Sequence, residues 1–218
     1  MTDPNNRTPK EIKRCIESPE QSGKLWQTKP DPCYCIGCGS SIKGMDFSPL
    51  RSYYTIGCNH VMLDYYVDCG VFLDRSFYDD YHPALPYLAC EIWTHKRAVP
   101  EGYSHPRLHL IETSLNNINT DPNDPSWVMG HLSGIAAINI AYLKGYREIY
   151  LLGYDMQGSN YHDNEEVKFA RNNKLAYKFA RFLETDAKIY NCNPDSWLEV
   201  FPKVKDHPAT GAPAHTSE

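Results

Sequence analysis

The sequence predicts a single α/β domain built on a mostly parallel sheet with helices on both faces, and three observations carry that expectation. First, a helix rich in small residues over 133–144, a glycine link at Gly145 and an apolar strand over 147–152 follow one another as the second half of a β-α-β unit does. Second, three short runs of strand-forming residues lie upstream, at 33–36, 53–58 and 71–73, and each stops at a small or polar residue. Third, the 218 residues suit one domain. A chain of that length buries a substantial core without cross-links.

The elements read in order as follows. Residues 1–30 are polar and form a lead-in; the domain is placed at 31–202. Cys33-Tyr-Cys-Ile36 is the first strand and runs into Gly37-Cys-Gly-Ser-Ser41, a turn of small residues. Residues 42–50 hold a helical turn with Phe47 and Leu50 inward, and 53–58 is the second strand, ending at Asn59. A helix over 60–66 leads to a third strand at 71–73, ending at Asp74. Glu91-Ile-Trp-Thr94 and Leu108-His-Leu-Ile111 are further strands. Residues 115–125, rich in Asn, Asp and Pro, are a loop long enough to be mobile or to cover a ligand. After the helix at 133–144, Gly145 supplies the left-handed cap. A long helix is predicted over 165–183, with Val167, Ala170, Leu175, Phe179 and Leu183 near one stripe. Lys188-Ile-Tyr-Asn191 is the last strand; Asn193-Pro-Asp-Ser196 turns into a short helical piece bearing Trp197, Leu198 and Val200. Residues 203–218, rich in Pro, Ala, Thr and His, are read as a disordered tail.

Charge and composition exclude several classes. A formal charge of -5 argues against a protein that mainly grips a nucleic-acid backbone. No apolar run approaches the roughly 18 residues of a membrane helix, and residues 1–10 lack the apolar stretch of a secretion signal. The expected compartment is the cytoplasm, where the eight cysteines stay free thiols. Cys33, Cys35 and Cys38 invite a zinc reading. Cys33 and Cys35, however, point to one face of a strand, and no second Cys/His pair follows at the usual spacing. They read as small buried hydrophobes, and no metal site is expected.

The candidate chemistry gathers at strand ends and helix starts. The turn at Gly37, Gly39, Ser40 and Ser41 has the composition to offer backbone N–H groups and hydroxyls to an anion, although it matches neither a Walker loop nor the dinucleotide fingerprint. Asn59, Asp74 and Asp155 each follow a strand, which is where ligands bind in open parallel sheets. Alternatively, each caps its own turn. Ser133-Gly134 opens a helix and presents a positive helix end, with Gly130 and His131 just before it. Tyr161 is placed to bond a phosphate oxygen, and His162 to act as general acid or base near neutral pH.

These residues also carry a resemblance. Ile36-Gly-Cys-Gly-Ser-Ser-Ile-Lys-Gly-Met-Asp-Phe-Ser-Pro-Leu50, followed by a strand ending in Asn59, resembles the opening of bacterial lipooligosaccharide sialyltransferases. It is similar too to the related 6-hydroxymethylpterin diphosphokinase (MptE-like) domain, found also in small phage-encoded proteins. The stretch from Ser133-Gly-Ile-Ala-Ala to Gly153-Tyr-Asp155 resembles the family's helix and Gly-x-Asp strand, and Lys188 to Ser196 resembles its last strand and turn. The matched segments cover about half of the chain, in the family's order.

The resemblance implies a Rossmann-like fold and a nucleotide-dependent transferase, with glycosyl transfer from a nucleotide-sugar donor, such as a CMP-sugar, as the leading reaction. By it, the Gly37–Ser41 turn, Asn59, Asp74, Ser133 and Gly134 hold the nucleotide. Gly158-Ser-Asn-Tyr161 matches a segment with a phosphate-contacting tyrosine, so Tyr161 steadies the leaving phosphate. Ser40 stands where the family often has Pro. The insert bearing the family's base histidine is shortened here, so His162, or Asp155, serves as a substitute base. One alternative is a diphosphokinase in which Asp155 and Asp74 hold Mg²⁺ beside ATP. The other is a nucleotide-binding phage accessory protein without catalysis, in the host cytoplasm. Acceptor, donor base and oligomeric state, including a homo-oligomer, are left open.

Overall fold

A computed structural model describes residues 29, 31–130, 132–162 and 178–210. Eight strands form one sheet: β1 Cys33–Ile36, β2 Tyr54–Cys58, β3 Cys69–Phe72, β4 Glu91–His95, β5 Leu108–Ser114, β6 Trp127–Met129, β7 Glu148–Leu152 and β8 Lys188–Asn191. Helices bounded within the described residues are α1 Val61–Asp64, α2 Arg75–Tyr81 and α3 Ser133–Leu143. Every pairing is parallel, in the order β6-β5-β4-β3-β2-β1-β7-β8. The chain steps outward from β1 to β6, then crosses back through α3 to lay β7 on the other side of β1. The strand order therefore reverses between β1 and β7, which is where an open parallel sheet leaves a crevice at its carboxyl edge.

Strand alternation divides the core between the two faces. Cys33, Cys35, Tyr54, Ile56, Ile149 and Leu151 share one core with α3. Tyr34, Ile36, Tyr150 and Leu152 share the other with Val61 and Met62 of α1 and Phe77 and Tyr78 of α2. Helices thus cover both faces, as the sequence predicts. Cys33 and Cys35 are fully buried, and the seven cysteines among the described residues are free.

Helix α3 is buried nearly all round, with Ala136, Ala137 and Ala141 giving it a close fit against the sheet. Gly145 (φ 93°) ends it: its N–H bonds Tyr142 O and that of Tyr146 bonds Ala141 O, the paired closure of a Schellman motif. On the other face, Gly70 lets α1 settle closely on β3: a Cβ there would lie 2.6 Å from Met62 Sδ and 3.1 Å from its Cβ.

Several expectations are corrected. The loop at 115–125 is pinned to α3: Asn119 is buried, its N–H donates to Asn139 Oδ1 (3.0 Å) and its carbonyl accepts from Asn139 Nδ2 (2.8 Å). Met129 N–H bonds the same Asn139 Oδ1, and Asn119 Nδ2 closes the loop on Asp124 O and Trp127 O. It is a fastened connection. Strand β6 and helix α2 were not expected, because one is three residues long and the other is masked by polar residues. Residues 197–200 form no helix, since Trp197 N–H is drawn to Asp155 O instead.

The chain beyond residue 202 packs back on the domain as far as residue 210. Val204 N–H bonds Asn191 O, and the buried His207 ring sits against Tyr34, its Nδ1 3.2 Å from the phenol oxygen. Residues 165–177 of the helix predicted at 165–183 lie outside the described residues. Its end is helical to Ala180, with Phe179 buried but Leu183 exposed. No helix among the described residues is long and apolar enough to cross a membrane.

Candidate functional site

The strand ends at the reversal point enclose a cavity of about 300 Å³. Gly37, Gly39, Asn59, Asp74, Ser133, Gly134 and Asp155 all line it. These residues come from the ends of β1, β2, β3 and β7 and from the start of α3, up to 118 positions apart in the chain. Ser40, Ser41, Tyr161 and His162 are not part of the lining. His131 lies outside the described residues.

The glycines serve a purpose different from the one predicted. Gly37 N–H bonds Leu152 O (2.8 Å) and Gly39 N–H bonds Gly153 O (2.9 Å), so the turn after β1 is fastened to the turn after β7. A Cβ at Gly37 would come 2.7 Å from Gly153 O, and one at Gly39 2.5 Å from the Asp155 carboxyl. Close approach of the two turns, and not access for an anion, requires glycine here. These two amides are taken.

Asp155 is the bolt of this junction. Its Oδ2 accepts Ser41 N–H (2.8 Å), and its Oδ1 accepts the Ser41 hydroxyl (2.6 Å) and Asn193 Nδ2 (2.8 Å). The carboxylate is almost wholly buried. With its oxygens so engaged, it is poorly placed to be a base or to hold Mg²⁺, and the Asp155–Asp74 metal pair of the diphosphokinase alternative loses a ligand. Ser41 likewise faces Asp155.

The start of α3 is different. Leu132 is the N-cap and no side chain caps the helix. Ser133 and Gly134 therefore take the first two helical positions, whose amides no helical carbonyl reaches, whereas those of Ile135 and Ala136 bond Leu132 O. Ser133 Oγ donates to Asn59 Oδ1 (3.1 Å), which leaves the Asn59 amide NH₂ as the donor of that side chain. Asn59 itself sits at φ 48°, a left-handed position that asparagine tolerates. Tyr154 packs beneath Gly134, its hydroxyl donating to Gly134 O (3.0 Å). Burial and the neighbouring Cys58 and Cys35 thiols push that phenol's pKa well up, so it remains a donor.

Tyr161 points away from the cavity. Its hydroxyl donates to Asp64 Oδ2 (2.8 Å), and burial together with the Asp64 carboxylate raises its pKa. Asn160 pairs antiparallel with Gly39, and Tyr161 N–H bonds Cys38 O, so 160–161 run back across the first turn. The His162 ring stacks on His60 at 3.6 Å beside Cys38. Sequence reading missed this juxtaposition, and it missed Tyr154 and Gln157 in the lining, whereas the segment Gly158-Ser-Asn-Tyr161 that it singled out does contribute Ser159 and Asn160.

Fold and cavity together define a Rossmann-like α/β protein with an open crevice at the strand-order reversal. Among solved structures, the same fold is found in the sialyltransferase CstII from Campylobacter jejuni in complex with the substrate analogue CMP-3FNeuAc. That match has 19% identity and a TM-score of 0.51, over 79% of this chain and 85% of that one. The enzyme's complex with a trisaccharide acceptor and CMP matches at 20% identity and a TM-score of 0.52, over 79% and 86%. A MAf glycosyltransferase from Magnetospirillum magneticum AMB-1 matches at 12% identity and a TM-score of 0.58. There 95% of this chain is covered but only 38% of the other. No family model matches the sequence, and no curated protein matches it. At these identities the likeness is one of fold.

Proposed function

We propose that this protein is a nucleotide-dependent transferase that moves a glycosyl group from a nucleotide-sugar donor bound in the cavity. The observation that carries the reading is the meeting of Asn59, Ser133 and Gly134 at the reversal point, beside an uncapped helix start. A donor phosphate placed there would meet the Ser133 and Gly134 amides and the positive end of the α3 dipole. Those groups stabilise the charge that develops on the departing phosphate. Asn59 NH₂ adds a donor. Asp74, exposed at the cavity, is the carboxylate left to receive the acceptor's proton, because Asp155 is engaged. That neighbours of this fold have been solved with CMP and with a CMP-sugar analogue supports a donor of that class.

A second reading, nucleotide binding without transfer, is favoured by one observation: Tyr161 and His162 lie outside the lining. Thermal-shift measurements with CMP, UDP, GDP, ATP and their sugar conjugates, with and without Mg²⁺, separate the two. Transfer is supported if a nucleotide-sugar both stabilises the protein and is consumed, by transfer or by slow hydrolysis, in the presence of chelator. Stabilisation without consumption leaves the binder. A ligand that stabilises only with Mg²⁺ and ATP returns the diphosphokinase, and no stabilisation by any nucleotide overturns both readings.

A further inference from the structure

Three ligand-bearing side chains meet on the flank of the cavity, each from a different strand end. Cys38 lies in the turn after β1, His60 precedes α1 after β2, and His162 follows β7. One donor atom from each lies within 4.8 Å of the other two, and all three residues are half-buried. We propose that Cys38, His60 and His162 form a zinc(II) site that fastens segment 159–162 to the cavity wall.

The chemistry of the set points to that ion. Two imidazoles and a thiolate are borderline-soft donors that suit Zn²⁺ and not Mg²⁺ or Ca²⁺, which take oxygen. Around tetrahedral zinc, bonds of about 2.0–2.3 Å hold ligand atoms roughly 3.3–3.6 Å apart. The His60 and His162 rings now stack at 3.6 Å with an 18° interplanar angle, so one ring must turn about its Cβ–Cγ bond before both in-plane nitrogens aim at one ion. His60 has the supporting contact that metal-bound histidines usually have: its Nε2 lies 2.8 Å from Tyr81 Oη. A hydrogen bond there holds the ring in place. The Cys38 thiol now donates to Cys58 O at 3.2 Å. On metal binding its proton passes to water and the thiolate sulfur bonds the ion. Three protein ligands leave a fourth position for water or a substrate oxygen.

The backbone already prepares this closure. Tyr161 N–H bonds Cys38 O (2.9 Å) and Asn160 pairs with Gly39, so His162 reaches the cluster on a segment tied at two points. Cys38 also lines the cavity. An ion here would therefore fix the cavity's wall whichever ligand the cavity takes, and the inference does not depend on the glycosyl-transfer reading.

The test uses the untagged full chain, stripped with chelator and titrated with Co²⁺, followed by competition with Zn²⁺. Expected are one equivalent bound, tetrahedral d–d bands, and a thiolate-to-cobalt charge-transfer band that Zn²⁺ abolishes. Cys38→Ser should remove the charge-transfer band, and His60→Ala and His162→Gln should each weaken Zn²⁺ binding at least about tenfold. Zn²⁺ should raise the melting temperature of the parent but not of His162→Gln. If Cys38→Ser fails to fold, His162→Gln alone decides. Absence of cobalt bands and of a Zn²⁺-dependent melting shift, equal binding by parent and variants, or binding of Cu²⁺ alone would each overturn the proposal.

Discussion

Replacing Asp155 with asparagine separates a structural clamp from a catalytic base with one change of atom. The carboxylate accepts three hydrogen bonds, two at Oδ1 and one at Oδ2, from Ser41 and Asn193. An amide keeps the shape but turns one acceptor into a donor. If NH₂ replaces Oδ2, it faces Ser41 N–H. In the other orientation it faces Asn193 Nδ2, which cannot flip without losing the bond from Asp195 N–H to Asn193 Oδ1. Either way one bond to a charged acceptor is lost, worth about 1.5–3 kcal/mol, and a buried donor is stranded. The expected destabilisation is about 2–4 kcal/mol, read from urea unfolding followed by tryptophan fluorescence. For a chain of this length that lowers the melting temperature by about 5–10 °C. Asp155→Ala should cost more, since it leaves Ser41 N–H and Asn193 NH₂ both unmatched. Nucleotide affinity, measured below the melting range, should fall only modestly. Unchanged stability with abolished donor turnover would refute the clamp and restore Asp155 as a chemical participant.

Ser133→Ala removes the hydroxyl that orients Asn59, and nucleotide binding by calorimetry should weaken by about tenfold, roughly 1.4 kcal/mol, with little change in stability. Gly134→Ala gains about 1 kcal/mol of helix propensity. Its Cβ, however, would sit 2.9 Å from the buried Tyr154 ring, so a net loss of about 1–3 kcal/mol in urea titration is expected. Burial alone would raise the Glu91 pKa, but the Lys144 ammonium (2.7 Å) and hydrogen bonds from Lys144, Tyr54 and Trp93 outweigh it and hold the carboxyl below its ordinary value. Its stabilising contribution is thus complete above the unfolded value near 4.5 and is lost as pH falls through the lower folded value. Glu91→Gln should flatten that acid limb and, by taking the carboxylate away from the buried Lys144 ammonium, destabilise by about 3 kcal/mol at neutral pH. Tyr161→Phe should cost about 1 kcal/mol through the lost Asp64 bond while leaving any turnover in place, as checked by donor consumption.

Sequence was a good guide wherever a local pattern reports burial directly. Strand β1 was placed to the residue, and α3 with its glycine cap to within one, because small apolar runs and a positive-φ glycine are local signals. The same logic failed for Leu183, placed on an apolar stripe but exposed, and for residues 203–210, whose composition resembles a loose tail. His207 is held by Tyr34 from the far end of the chain, a contact that composition does not record.

For the cavity, strand-end polarity singled out Asn59, Asp74 and Asp155, and helix-start composition singled out Ser133 and Gly134; all five line it. What each does there was not legible. Asp155 and Asn59 read alike as polar residues after strands, yet one is a carboxylate clamped on both oxygens and the other an amide whose oxygen accepts from Ser133 at the start of α3. Cys38, His60 and His162 carry no mutual spacing that a motif would show.

The chain by itself determined the class of fold and which strand tips and helix start carry polar groups, because period, glycine position and apolar runs act over a few residues. Only the tertiary structure decided which donors and acceptors are already satisfied and which distant side chains become neighbours. Hydrogen bonds and ligand sets are closed by parallel strands far apart in sequence, and no local pattern encodes the partner across the turn.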